Sequence, residues 1–266
     1  MTIDFDEIDD WIEQLRERLR PHMQSDAERQ ITALKLKYVE DARDALLKLG
    51  DRDAIIHATL DWILENRLAA FHGTRLTDEE VQSVLKQGLR PLDPNCRKVR
   101  LERALSKHPR WSECVCRLDE ELSRCASGRD FGVRVGQVHL TLSQAGLKKG
   151  FNHYLIFGAE FDQHVAQALL GEEGLKCLAR DGKPRVVRVQ VPGKDAITAA
   201  HPYFSVAMMR ERGELPNIVN QFLQAFAFRL IRPNFQAETL LLDCGMVFER
   251  IVPPDWGIEV ETLELS

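Results

Sequence analysis

Long apolar runs are missing from this 266-residue chain. No stretch approaches the roughly 18 apolar residues of a membrane-crossing helix, so no membrane partner is expected. The opening residues, Met1-Thr2-Ile3-Asp4-Phe5-Asp6-Glu7, are acidic and lack the apolar core of a secretory signal. A cytoplasmic location is therefore expected, with export by a route that needs no such signal left open. An excess of basic charge is lacking too. With 36 Lys and Arg against 41 Asp and Glu, the formal net charge is −5, which offers no global attraction to nucleic acid and leaves open only a local basic patch. No internal repeat or low-complexity tract occurs.

Cysteine is sparse and scattered. The six thiols (Cys96, Cys114, Cys116, Cys125, Cys177, Cys244) read as reduced. The C-x2–4-C knuckle of structural zinc sites is missing. Cys114 and Cys116, near Cys125 and His108, would point to different faces of a helix, so no metal is expected and the thiols read as small apolar residues.

What is present is an ordinary globular composition, 44% hydrophobic and 29% charged, long enough for one sizeable core or a core plus a helical module. Ile8, Trp11, Ile12, Leu15 and Leu19 recur at helical spacing, and Pro21 closes the run. A second helix is expected from Ser25 to Leu49, stopped by Gly50, and a third from about Asp53 to Ala70. Residues 1–68 thus read as an α-helical module that caps the fold or docks a partner. Residues 77–87 read as a short amphipathic helix with Thr77 as N-cap and Gly88 as stop. A charged helical insertion, rather than a core element, is expected at about 95–130.

Strand texture begins at Val133, with Val135, Val138, Leu140 and Leu142. Asn152 to Leu170 reads as helix, with Gly158 weakening its continuity, and Arg185 to Val191 as strand. Residues 218–229 fit either state. Thr239 to Cys244 reads as a buried strand continued or paired by 246–251, and Ile258 to Leu263 as a final strand. The expected class is α+β, with residues 69–266 as the second domain.

Two short groups carry chemistry. Phe71-His72-Gly73-Thr74-Arg75, entering a capped helix, sets polar groups beside backbone donors able to hold a ribose and an amide. Gln236-Ala237-Glu238 puts a carboxylate at the mouth of the 239–244 run, where partial desolvation sharpens its action on a sugar hydroxyl or a developing cation. Arg97, Lys98, Arg100 and Arg103 form a basic cluster that suits a phosphate or acidic partner but reads better as a solvated helix face. His201-Pro202-Tyr203-Phe204 and Trp111 read as aromatic plugs onto a core rather than as the lining of a substrate groove.

Taken in order, Phe71-His72-Gly73-Thr74, then Gly136-Gln137-Val138-His139-Leu140-Thr141-Leu142-Ser143 with Tyr154, then Glu238-Thr239-Leu240-Leu241-Leu242-Asp243 resemble three motifs of the ADP-ribosyltransferases. The branch is that of diphtheria toxin and the poly(ADP-ribose) polymerases, and the resemblance covers roughly residues 69–266. It implies a split β-sheet core with NAD as substrate. It also implies transfer of ADP-ribose to a protein or nucleic-acid acceptor, with nicotinamide released. On that resemblance His72 bonds a ribose hydroxyl, Gly73 meets the nicotinamide carboxamide through its backbone, and Tyr154 stacks on the nicotinamide ring. Glu238 holds the ribose and stabilises the oxocarbenium-like transition state. Thr74 and Ser143 are further cofactor contacts.

Two departures stand out. His139 occupies the central strand where that branch carries tyrosine, and a satisfied core histidine is the expected reading. Gln236-x-Glu238 resembles the acceptor-selecting loop of the other large branch, although that branch opens with arginine. Alternatives are NAD hydrolysis, an RNA 2′-phosphotransferase of related fold, and a non-catalytic module of this fold that binds a partner.

Overall fold

The computed structural model describes residues 1–128 and 134–264. In chain order β1 (Thr2–Ile3) leads into α1 (Ile8–Leu19), α2 (Ala27–Thr32), α3 (Val39–Lys48) and α4 (Arg52–Leu64). Then come β2 (Arg67–Leu76), α5 (Asp78–Gln87), α6 (Pro94–Leu105), α7 (Trp111–Cys114) and α8 (Leu118–Ser127). β3 (Val138–Thr141) is followed by α9 (His153–Phe157), α10 (Glu160–Leu170) and α11 (Glu172–Arg180). After β4 (Lys183–Pro192) come α12 (Gly193–Ala200), α13 (Val206–Arg212) and α14 (Asn217–Ile231), then β5 (Gly245–Phe248) and β6 (Glu259–Thr262). The class is α+β. The sheet order is β5-β3-β2-β4-β6, with β1 beside β2. β1 runs parallel to β2, Thr2 opposite Arg67, while β4 and β6 are antiparallel, Arg185 opposite Thr262.

The chain forms two compact units. The first comprises Met1–Ala70, Thr141–Gly146 and Gln190–Met246; the second comprises Phe71–Leu140, Leu147–Val189 and Val247–Ser266. In the first unit the apolar stripe of α1 is fully used: Ile8, Trp11, Ile12, Leu15 and Leu19 are all buried. Trp11, Trp62 and Phe5 meet Phe222 of α14 edge-on, at centroid separations of 5.0, 5.4 and 5.2 Å. α14, which fits either state by its sequence, is helical because it is apolar nearly all round and is enclosed by other helices.

Three helix boundaries differ from the sequence expectation. The helix expected over Ser25–Leu49 is two helices, α2 and α3, joined by residues 33–38. Leu34 and Tyr38 in that joint are exposed, so no continuous apolar face carries the helix across it. The third helix stops at Leu64, and Arg67–Ala70 belong instead to β2, where Leu68, Ala69, Ala70 and Phe71 are buried in succession as in a strand covered on both faces. Gly158, at φ +86°, separates α9 from α10.

The strands also depart from expectation. Val133 lies outside the described residues, Val135 is in a turn and β3 is short. Thr239–Cys244 is not a strand: Ala237–Leu240 form one turn of 3-10 helix, Leu241 takes a left-handed φ of +49°, and β5 starts only at Gly245. The strand tendency of the leucines yields to this local turn.

The second unit has its own core, and the expected insertion builds it. Leu101, Leu105, Cys114, Leu118 and Leu122 pack with Phe161, Val165, Leu169 and Leu178, so α6–α8 are core elements there. α5 begins with a complete capping box: Thr77 Oγ1 accepts the Glu80 N–H while Glu80 accepts that of Thr77.

Candidate functional site

His72 lies midway along β2 in the second unit and is half-buried. Its Nδ1 stands 2.9 Å from the main-chain carbonyl of His139 on β3. A carbonyl only accepts, so Nδ1 carries the proton and donates, which leaves Nε2 of the neutral ring as an acceptor. Desolvation holds His72 below its ordinary value; the His139 carbonyl opposes this and the Arg97 cation adds to it.

Gly73 is buried beside it, and a Cβ at this position would sit 2.6 Å from Leu147 Cδ1. A larger residue here would require the Leu147 side chain to shift, so the close packing favours glycine. Thr74 is buried one residue further on.

His139 is exposed, which corrects the expectation of a core histidine. Its Nε2 lies 3.1 Å from Gln137 Oε1. Desolvation, with the charges of Arg134 and His72, brings its pKa down to about 4 against the opposing pull of Glu160, so the ring is neutral at physiological pH. Alternation supplied the missed signal, since apolar Val138 and Leu140 flank it and turn it to the other face.

Tyr154 projects from α9 into a polar group. Its hydroxyl donates to Glu160 Oε1 at 3.1 Å and receives Arg134 Nη1 at 3.3 Å. His153 Nε2 lies 3.1 Å from the same carboxylate oxygen, and Arg134 pairs with the other. The His153 ring covers one side of Tyr154, with centroids 4.0 Å apart and planes inclined by 37°. Glu160 and Arg134 carried no sequence signal, because only the break at Gly158 brings the first turn of α10 back to α9.

The basic cluster on α6 is not a solvated face. Arg100 and Asp162 are both buried; Arg97 grips Asp162 with two nitrogens, Nε donating to Oδ1 at 2.8 Å, and Arg100 Nε lies 3.3 Å from its Oδ2. Arg103, exposed to solvent, extends the network to Glu80 and Asp181, and half-exposed Lys98 pairs with Asp119. Desolvation weighs against the Arg97 cation, but the Asp162 charge and hydrogen bonds outweigh it and hold its pKa above the ordinary value.

Arg75, three residues past His72, is also buried. Its guanidinium donates to the carbonyls of Leu155 (3.2 Å), Ile156 (3.4 Å), Asp181 (3.2 Å) and Gly182 (2.7 Å). Arg100 Nη2 in turn donates to the Arg75 carbonyl at 2.6 Å. The end of α9 is thus tied to the strand that bears His72.

The second unit therefore contains His72, Gly73, Thr74 and Tyr154, whereas Ser143, Gln236 and Glu238 belong to the first. Ser143 is fully buried there; its hydroxyl donates to Asp6 Oδ1 at 2.8 Å and accepts the Gly146 N–H at 2.9 Å. Asp6 also accepts the Ala145 N–H at 2.9 Å, so this serine shapes the turn after β3. Glu238 is exposed on its single 3-10 turn rather than leading a strand, and the Gln236 carbonyl closes that turn by accepting the Thr239 N–H and hydroxyl.

The plainer features divide. Tyr203 is 88% exposed and plugs no core, while His201 Nε2 accepts the N–H of Asn217 at the start of α14. Trp111 packs on the core of the second unit. Cys114 and Cys244 are buried as small apolar residues, but Cys96 and Cys116 are exposed. Comparison with protein-family models, curated proteins and solved structures found no match to this chain.

Proposed function

We propose that this chain is an NAD-dependent mono-ADP-ribosyltransferase with an ADP-ribosyltransferase-like split sheet. The carrying observation is the His72 ring, fixed by the His139 carbonyl at 2.9 Å so that Nε2 presents an acceptor to a ribose hydroxyl. On the sequence resemblance, Gly73 beside it would meet the nicotinamide carboxamide through its main chain. Tyr154, tethered at its hydroxyl and set against the His153 ring, would supply the aromatic surface for the nicotinamide ring.

In the reaction the bond between nicotinamide and ribose C1′ breaks, and its electron pair leaves with nicotinamide. The acceptor nucleophile bonds to C1′ and loses its proton. A carboxylate favours the oxocarbenium-like transition state. The sequence resemblance assigns that role to Glu238, with Gln236 as the acceptor-selecting residue. The acceptor is a protein or nucleic acid, and the N-terminal helices serve to dock a partner.

The test is nicotinamide release from NAD by the purified chain, with cell lysate as the source of acceptor. Glu238→Gln is expected to lower the rate by about 100-fold or more, the scale set by losing a charge-stabilising group. An unchanged rate removes Glu238 from the chemistry. The exposed setting of Glu238 favours a second reading, a module of this fold that binds NAD or a partner without turnover. Absence of release from the wild type, together with measurable NAD binding, supports that one.

A further inference from the structure

We infer that Glu160 is a positioning residue for this reaction, holding the Tyr154 hydroxyl so that the ring is preset to stack on nicotinamide. The inference rests on the stacking role proposed for Tyr154.

α9 is only five residues long, too short for its own helical stability to fix a side chain. Its backbone is located instead by Arg75, through the Leu155 and Ile156 carbonyls. That leaves the two side-chain torsions of Tyr154 to be set, and Glu160 sets them from the far end of the ring by accepting the phenolic proton. The same carboxylate takes His153 Nε2, and so turns the His153 ring against one side of the tyrosine.

Arg134 closes the triangle. It pairs with Glu160 and donates to the Tyr154 oxygen, which directs the phenolic proton toward the carboxylate. Glu160 is the first residue of α10, where the helix dipole favours a negative charge. One carboxylate thus collects three donors around a single ring, the ring proposed to meet nicotinamide. Preorganisation of this kind strengthens binding by removing the ordering cost that a mobile tyrosine meets on association.

The experiment measures nicotinamide release across NAD concentrations for Glu160→Ala, Glu160→Gln, Tyr154→Phe, Tyr154→Ala and the double variant Glu160→Ala/Tyr154→Phe. Stacking acts equally on ground and transition states, so Glu160→Ala is expected to raise KM about 10-fold with kcat within about 2-fold. Glu160→Gln keeps an acceptor oxygen for the phenol and should raise KM no more than about 3-fold. Tyr154→Phe, which removes only the phenolic bond, should raise KM no more than Glu160→Ala, which also frees His153 and Arg134, and the double variant should be no worse than Glu160→Ala alone.

Additive losses, or a fall in kcat at constant KM, overturn the inference. If Glu160→Ala does not fold, Glu160→Gln in the Tyr154→Phe background reads the same coupling and should add nothing. Tyr154→Ala with unchanged KM sinks the stacking role itself. Tyr154→Ala with raised KM, beside an unaffected Glu160→Ala, sinks only the role of Glu160. If the wild type binds NAD without turnover, the same comparisons are read in its calorimetric Kd. A chain that neither binds nor cleaves NAD overturns both.

Discussion

The His139 carbonyl forces the His72 proton onto Nδ1, and desolvation keeps the ring neutral, so pH becomes a direct probe of this residue. Its folded value lies below the ordinary 6.5, which means that the unfolded chain takes up the proton more readily. The stability it contributes is therefore fully present above pH 6.5 and is lost as pH falls through the lower folded value. On the proposed function, NAD affinity should follow the same course, because protonation turns Nε2 from an acceptor into a donor and sets a second cation near Arg97. Calorimetric titration between pH 8 and 5 should give a Kd that is level down to about 6.5 and rises only below it. His72→Ala should raise Kd about 10-fold at pH 7.5 and abolish the His72 part of that rise. A Kd already rising between pH 8 and 7 contradicts the assignment. Neutral His139, with its pKa near 4, should add nothing across this range.

At the scale of elements, the buried ion network of α5, α6 and α10 is the feature whose removal should be felt most. Asp162 is wholly buried and answers both Arg97 and Arg100, so Asp162→Ala takes the paired carboxylate from partly exposed Arg97 and leaves buried Arg100 with only Glu80, at 3.7 Å, as a counter-charge within pairing distance. Breaking a buried pair by removing one partner costs about 3–5 kcal/mol, whereas Arg103→Ala, at the half-exposed end, should cost about 1 kcal/mol or less. Urea unfolding of the two variants checks this, and equal midpoints would reduce the network to surface pairing. Sequence periodicity reaches α1 and α5 because an apolar stripe or a capping pair is a local property. It does not reach α6, where Arg100 looks solvent-facing and is buried by carboxylates drawn from residues 80, 162 and 181. The site divides in the same way. His72 is singled out by its His-Gly-Thr motif and Tyr154 by the family resemblance, while Glu160, Arg134 and Arg75 enter through partners that only the fold supplies.

For the whole molecule, the sequence reads residues 1–68 as an N-terminal helical module, whereas the first compact unit joins Met1–Ala70 to segments from much later in the chain. That unit also takes in Thr141–Gly146 and Gln190–Met246. The reason lies in Phe222. Its ring sits among Phe5, Trp11 and Trp62, so the aromatic heart of the N-terminal helices is completed by a helix some 150 residues later in the chain. Composition cannot reveal this, since the apolar stripe of α1 and the apolar α4 look self-sufficient as a packed pair. A fragment ending at Ala70 therefore leaves the Phe222 position empty together with the rest of α14, and it exposes Trp11 and Trp62. It is expected to keep helical far-UV dichroism, to lose near-UV signal and to bind a dye for exposed apolar surface, as a loosely packed state does. In the full chain, Phe222→Ala should cost about 3–5 kcal/mol by the cavity it opens. A fragment 1–70 with a sharp thermal transition and native tryptophan dichroism refutes this dependence, because the helices would then close their core without α14.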